Sequence, residues 1–104
     1  MSKVTVEAGV CGFVTEIETL LNDSQQVVLK IDSQCPNIMA LAEDYNLSEG
    51  MTEVFIPFGE SPLFQAAKKH LKHTACPIPS AIMKSIEVTC GLALPRDVTM
   101  KIER

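Results

Sequence analysis

The sequence predicts an α+β domain of two layers, a mostly antiparallel sheet covered on one face by three helices. Two observations carry this. Near the N-terminus three apolar–polar alternations follow one another, Val4/Val6/Ala8, Phe13/Thr15/Ile17 and Val27/Leu29/Ile31. A period of two marks a strand with one wet face, and short connections between such strands make an antiparallel meander. Further on the period changes to that of a helix, first in Ile38/Leu41/Ala42/Tyr45 and most strongly in Ile78/Ile82/Ile86. A last alternation, Val98/Met100/Ile102, is expected to add a C-terminal strand to the same sheet. The 104 residues are expected to form a single domain, 1–104, long enough to bury a real core.

Taken in order, the first strand runs into Gly9-Val10-Cys11-Gly12, a hairpin loop with glycines near Cys11 on both sides. Asn22-Asp23-Ser24 turns the second strand into the third. Cys35-Pro36 opens the first helix, Asn46 to Gly50 reads as a loop, and Glu53 to Pro57 as a short strand. Ser61-Pro62 opens the second helix, with Phe64, Ala67 and Leu71 inward. The third helix starts at Pro77 or Pro79 and is apolar nearly all round apart from Lys84, Glu87 and Gly91. It is therefore expected at the centre of the core, ending at Gly91 with Pro95 beyond.

Composition narrows the function. Hydrophobic residues at 46% and charged ones at 21% are ordinary for a globular domain. A net charge of −4 argues against nucleic acid as partner, because no basic face is available to meet phosphates. No apolar run approaches the ~20 residues that span a bilayer, which excludes a membrane helix and points to the cytoplasm. In a reducing compartment the four cysteines read as ligands, reactive thiols or core filler rather than disulfides. There is no Gly-rich phosphate loop, no Gly-x-Ser-x-Gly elbow and no His-Glu-x-x-His pair, so nothing points to an enzyme.

The chemistry of the chain concentrates in its thiols. Each expected helix opens on a residue followed by proline: Cys35-Pro36, Ser61-Pro62 and Cys76-Pro77. Serine at such a position caps a helix; cysteine is a poor cap unless ionised, while the unpaired N–H groups of a helix start favour an anion. Cys76 is thus expected to have a lowered pKa. The bland reading is that both cysteines are small buried residues, which free cysteine commonly is. Cys11 is balanced between a ligand-holding loop and an ordinary hairpin. Cys90 lies fourteen residues after Cys76 on one helix, about 21 Å away at 1.5 Å per residue, and reads as core filler. His73-Thr74-Ala75-Cys76 has a His-x-x-Cys spacing that wraps one metal ion. His70 reads as a solvated or packed histidine.

Two resemblances accompany these residues. The chain, and in particular GVCGF (9–13), DSQCPN (32–37) and KHTACPIPSAIMKSIEVTCGLALP (72–95), resembles a family of small uncharacterised proteins of methanogenic archaea and anaerobic bacteria. That resemblance implies an intracellular, anoxic setting and carries no activity. Cys76-Pro77-Ile78-Pro79 is similar to the Cys-Pro-x-Pro motif of TusA-like sulfur carriers, which implies a persulfide-bearing cysteine ahead of a helix. In those carriers the motif follows the first strand, whereas here it comes after three strands and two helices.

The leading expectation is a small cytoplasmic protein in which Cys11, Cys35 and Cys76, with His73, bind zinc or an iron–sulfur cluster. The alternative is a reactive-thiol protein, a sulfur carrier or redox partner working through Cys76. A third reading is an interaction module whose cysteines are buried and whose partner is another protein. The meander also makes a geometric expectation. The loops after its first and third strands share one edge, so Cys11 and Cys35 should be neighbours there, and a shared site requires the Cys76 end of the third helix at the same edge, with the three sulfurs within about 8 Å.

Overall fold

The computed structural model describes residues 1–104. The meander forms as its alternation requires: β1 (Ser2–Glu7), β2 (Val14–Leu21) and β3 (Val27–Ser33) are antiparallel neighbours in the order β1-β2-β3. Val4, Ile17 and Ile31 stand side by side across the three strands. Thr15, Ile17 and Thr19 of β2 and Val27 and Leu29 of β3 are buried, while Glu16, Lys30 and Asp32 face solvent on the other side. One face is covered and one is wet.

The rest of the chain is α1 (Pro36–Asp44), β4 (Leu47–Ser48), α2 (Met51–Val54), α3 (Pro62–His70) and α4 (Ile78–Thr89). α4 lies across β1 and β2, α1 across β3, and α3 packs on α1 and α4. Ile38, Leu41, Leu63, Ile78, Ile82 and Ile86 meet Ile17, Val27 and Leu29 in one core. The helix starts behave as their chemistry dictates. Ser61 Oγ accepts from the Phe64 N–H at 3.3 Å, whereas Cys35 caps α1 with no side-chain hydrogen bond. At the other end of α4, Gly91 takes φ +75°, letting its N–H reach Val88 O at 3.0 Å and the Leu92 N–H reach Glu87 O at 2.9 Å. This paired closure satisfies carbonyls that a helix end otherwise leaves open.

A polar seam fixes how α4 lies on the sheet. The Thr19 hydroxyl meets Ser85 Oγ at 2.8 Å and Thr89 Oγ1 at 2.6 Å, and Ser85 Oγ donates to Ser2 Oγ at 3.3 Å. Thr19 stands opposite Ser2 at the start of β1. The C-terminal half of α4 is therefore tied to the end of the sheet where β1 begins, and its N-terminus points to the β1–β2 hairpin loop.

Three expectations are corrected. The C-terminal strand does not form: Val98, Met100 and Ile102 are exposed, and the last backbone hydrogen bond of the chain is that of the Leu92 N–H. Alternation equips a segment to be a strand but does not supply the neighbour it must bond, and here no strand of the chain lies beside it. The fourth strand is instead β4, in the stretch read as a loop, which bonds Val27 and Val28 of β3. Glu53 to Pro57 is not a strand either. It belongs to α2 and a following turn, so the helices number four and not three; its N–H groups bond locally, Val54 to Gly50 O at 3.0 Å and Ile56 to Glu53 O at 3.1 Å. In α3 the inward residues are Leu63, Ala66 and Ala67; Phe64 is half-buried against Phe58, their ring centroids 5.3 Å apart.

Candidate functional site

The sheet register brings two of the thiols to one end. Glu7 stands opposite Val14, and Thr15 opposite Ser33, so the β1–β2 loop and the β3–α1 junction share that edge. Cys11 is exposed in the loop, which closes through the Gly12 N–H to Gly9 O at 2.9 Å, with both glycines at positive φ. Cys35 is half-buried; its N–H donates to Ser33 Oγ at 3.1 Å, and Ser33 Oγ in turn accepts from Thr15 Oγ1 at 2.8 Å. Val14 N–H reaches Gln34 Oε1 at 3.3 Å, tying the same corner together.

The orientation of α4 sends its N-terminus, and Cys76 with it, toward that corner. Cys76 is half-buried and packs against the core, and its N–H bonds back to His73 O at 3.2 Å. Its thiol is pushed up from 9.0, mostly by burial, and further by negative charge at Cys35 and Cys11. The Ile78 N–H at the helix start pulls the other way and is outweighed. The expectation of a lowered Cys76 pKa is therefore overturned: one helix-terminal N–H does not repay the loss of water around the sulfur. The charges of Cys35 and Cys11 thus each oppose ionisation of Cys76. Even so, no group of three His, Cys, Asp or Glu side chains is arranged to hold a metal ion. His73 is exposed beside the Cys76 turn. Cys90 lies apart, at the far end of α4, packed on the core against Gly50. His70 is bonded to Asp44 through Nε2 at 2.9 Å, a link between the C-terminal ends of α3 and α1.

A second polar centre has no counterpart in the sequence reading. Glu53 is only 2% exposed, and its Oε1 accepts from Tyr45 Oη at 2.7 Å and Ser48 Oγ at 2.6 Å. Its Oε2 accepts from the Leu63 N–H at 2.8 Å in the first turn of α3. Burial, offset in part by Ser48, drives the Tyr45 hydroxyl far above its usual range. Beside Glu53 lies a mostly apolar cavity of about 250 Å³, walled by Val54, Ile56, Phe58, Phe64 and Met83 and by no cysteine. With three donors and no cation, Glu53 is built as a structural bracket joining β4, α1 and α3. The available signal in the sequence was a tyrosine, a serine and a glutamate within one short stretch, and nothing in their spacing says that they converge.

Residues 2–102 match a family of unknown function, DUF6951. The chain belongs to DUF6951. No curated protein matches it, and no solved structure does. No helix is long and apolar enough to cross a membrane. For this DUF6951 protein the functional argument rests on its own side chains.

Proposed function

We propose that Cys11, Cys35 and Cys76 act together as a thiol site that takes up one thiophilic metal ion, zinc or the iron of a small cluster, with His73 as the fourth ligand. The observation that carries this reading is geometric: the sheet register sets the Cys11 loop and the Cys35 junction at one edge, and α4 points its Cys76 end toward it. Thiolates that oppose one another are relieved by a cation among them, and its binding then releases their protons. The thiols do not form a metal-holding group as they stand, so uptake needs movement. The exposed 9–12 loop supplies it: Cys11 sits in a four-residue turn with Gly9 and Gly12 at φ +85° and +74° and open space around both. Cys35 and Cys76 stay put, each packed on the core at a helix start. The alternative, Cys76 as a sulfur-carrying nucleophile, draws on the Ile78 N–H but has burial against it.

The test is a cobalt titration of protein purified without oxygen. Thiolate-to-cobalt absorption should rise to one ion per chain with release of protons, and zinc should displace it. Cys11→Ser or Cys76→Ser should weaken binding by at least about a hundredfold, since even supporting groups around a metal are worth 10–100-fold. Cys90→Ser should bind as the parent does. Absence of the absorption, with alkylation rates of Cys11, Cys35 and Cys76 unchanged by metal, would refute the reading.

A further inference from the structure

The C-terminal segment has everything a strand needs except a neighbour. Val98, Met100 and Ile102 are 62%, 72% and 92% exposed. Lys101 Nζ meets Glu103 Oε1 at 3.1 Å, a pairing that the i, i+2 spacing of an extended segment allows. None of these residues makes a backbone hydrogen bond.

The sheet, for its part, has an edge of matching pattern. β1 pairs only with β2, so the full length of its outer side lacks a ladder. Val4 and Val6 point to the helix-covered face but are only half-buried, while Lys3, Thr5 and Glu7 alternate with them toward solvent. An open edge of this kind is a template for another strand, and proteins that keep one usually blunt it. β1 carries neither a proline nor a bulge.

We infer that two copies of this chain exchange their C-terminal segments, each Asp97–Ile102 adding as a parallel strand to β1 of the other copy. One register satisfies both faces. With Val98 beside Val4 and Met100 beside Val6, Asp97 falls beside Lys3 and Lys101 beside Glu7, and Ile102 continues the apolar row beside Ala8. Both charge pairs are then opposite in sign, whereas sliding the segment by two residues toward its own N-terminus puts Glu103 beside Glu7. The tail leaves α4 close to the beginning of β1, so a two-fold axis passing there brings the tail of each copy to the β1 start of the other. α4 ends over the beginning of β1, held there by Thr89 and Ser85, and Gly91 turns the chain out of the helix at that end. The exchange is symmetric, each chain giving one strand and receiving one, so it closes at two copies and leaves no apolar tail free. It does not depend on the thiols.

Sedimentation equilibrium of the full chain tests this. At tens of micromolar the mass should be twice 11.4 kDa. Met100→Lys should shift the dissociation constant by at least about a hundredfold, because a charge replaces a buried apolar side chain. Lys101→Glu should weaken association several-fold, and adding Glu7→Lys to it should restore the parent value. A sample mixed from labelled and unlabelled chains should give contacts by nuclear magnetic resonance between Val6 of one copy and Met100 of the other. A single 11.4 kDa species up to millimolar concentration, a dimer indifferent to Met100→Lys, or Val6–Met100 contacts arising within one copy would each overturn the inference.

Discussion

Glu53 shows how much one residue can hold. Its two oxygens gather a hydroxyl from the end of α1, a hydroxyl from β4 and a backbone N–H from α3, so three elements that share no ladder meet on one side chain. Glu53→Ala should leave the Tyr45 and Ser48 hydroxyls and the Leu63 N–H without their acceptor inside the core. An unmet buried donor costs about 1–3 kcal/mol, so a loss of ~3 kcal/mol or more in urea unfolding is expected. Glu53→Gln keeps the shape but turns one acceptor into a donor facing other donors, and should lose a substantial part of that. If Glu53→Ala unfolds within about 1 kcal/mol of the parent, the bracket is not what holds this region. The residue was illegible in advance for a physical reason. In Met-Thr-Glu-Val a glutamate reads as a solvated position, and its burial is set by partners five, eight and ten residues away that fold back on it.

Among the elements, those whose pattern is set locally were legible, and those set by a distant partner were not. β1 to β3, α1, α3 and α4 follow from their periods and from the proline, serine and glycine at their ends. β4 and α2 did not show, because two residues and four residues are too few for a period, and because β3 and Glu53 decide them. The same limit governs the thiols. Strand alternation put Cys11 and Cys35 at one edge, and the helix start put Cys76 ahead of α4; the sign of the Cys76 shift depends on burial, which no local motif reports. Gly50 links these elements and gives a sharp test. It stands at φ +51° and ψ −99°, and a Cβ there would lie 2.9 Å from both Cys90 Sγ and Val27 Cγ2. Gly50→Ala therefore forces overlap between the β4–α2 turn, β3 and the end of α4, and should cost about 1–3 kcal/mol in thermal or urea unfolding. Adding Cys90→Ala removes one of the two obstacles and should recover part of the loss, leaving the strain of φ and the contact with Val27. Equal stability of Gly50→Ala and the parent would show that the turn is free to shift.

For the whole molecule, the titrating groups that the fold displaces all move in one direction. Burial pushes Tyr45, Cys76 and Cys90 upward, Cys76 with added opposition from Cys35 and Cys11. A group with a higher pKa folded than unfolded holds its proton more tightly in the native state. Its contribution is complete below the unfolded pKa and is lost as the pH rises through the folded one. The ordinary values are 9.0 for the thiols and 10.0 for the tyrosine, so stability should fall on the alkaline side in two overlapping stages, thiols first. Urea midpoints should be level from about pH 7 to pH 8.5 and then decline steadily toward pH 11. Cys76→Ala combined with Cys90→Ala should flatten the early part of that decline, and Tyr45→Phe the later part. Tyr45→Phe should also cost about 1 kcal/mol at neutral pH, where Glu53 Oε1 loses one of its two donors. Midpoints that do not change up to pH 11, or a decline that survives all three substitutions, would mean that the native state does not shield these groups as their burial requires.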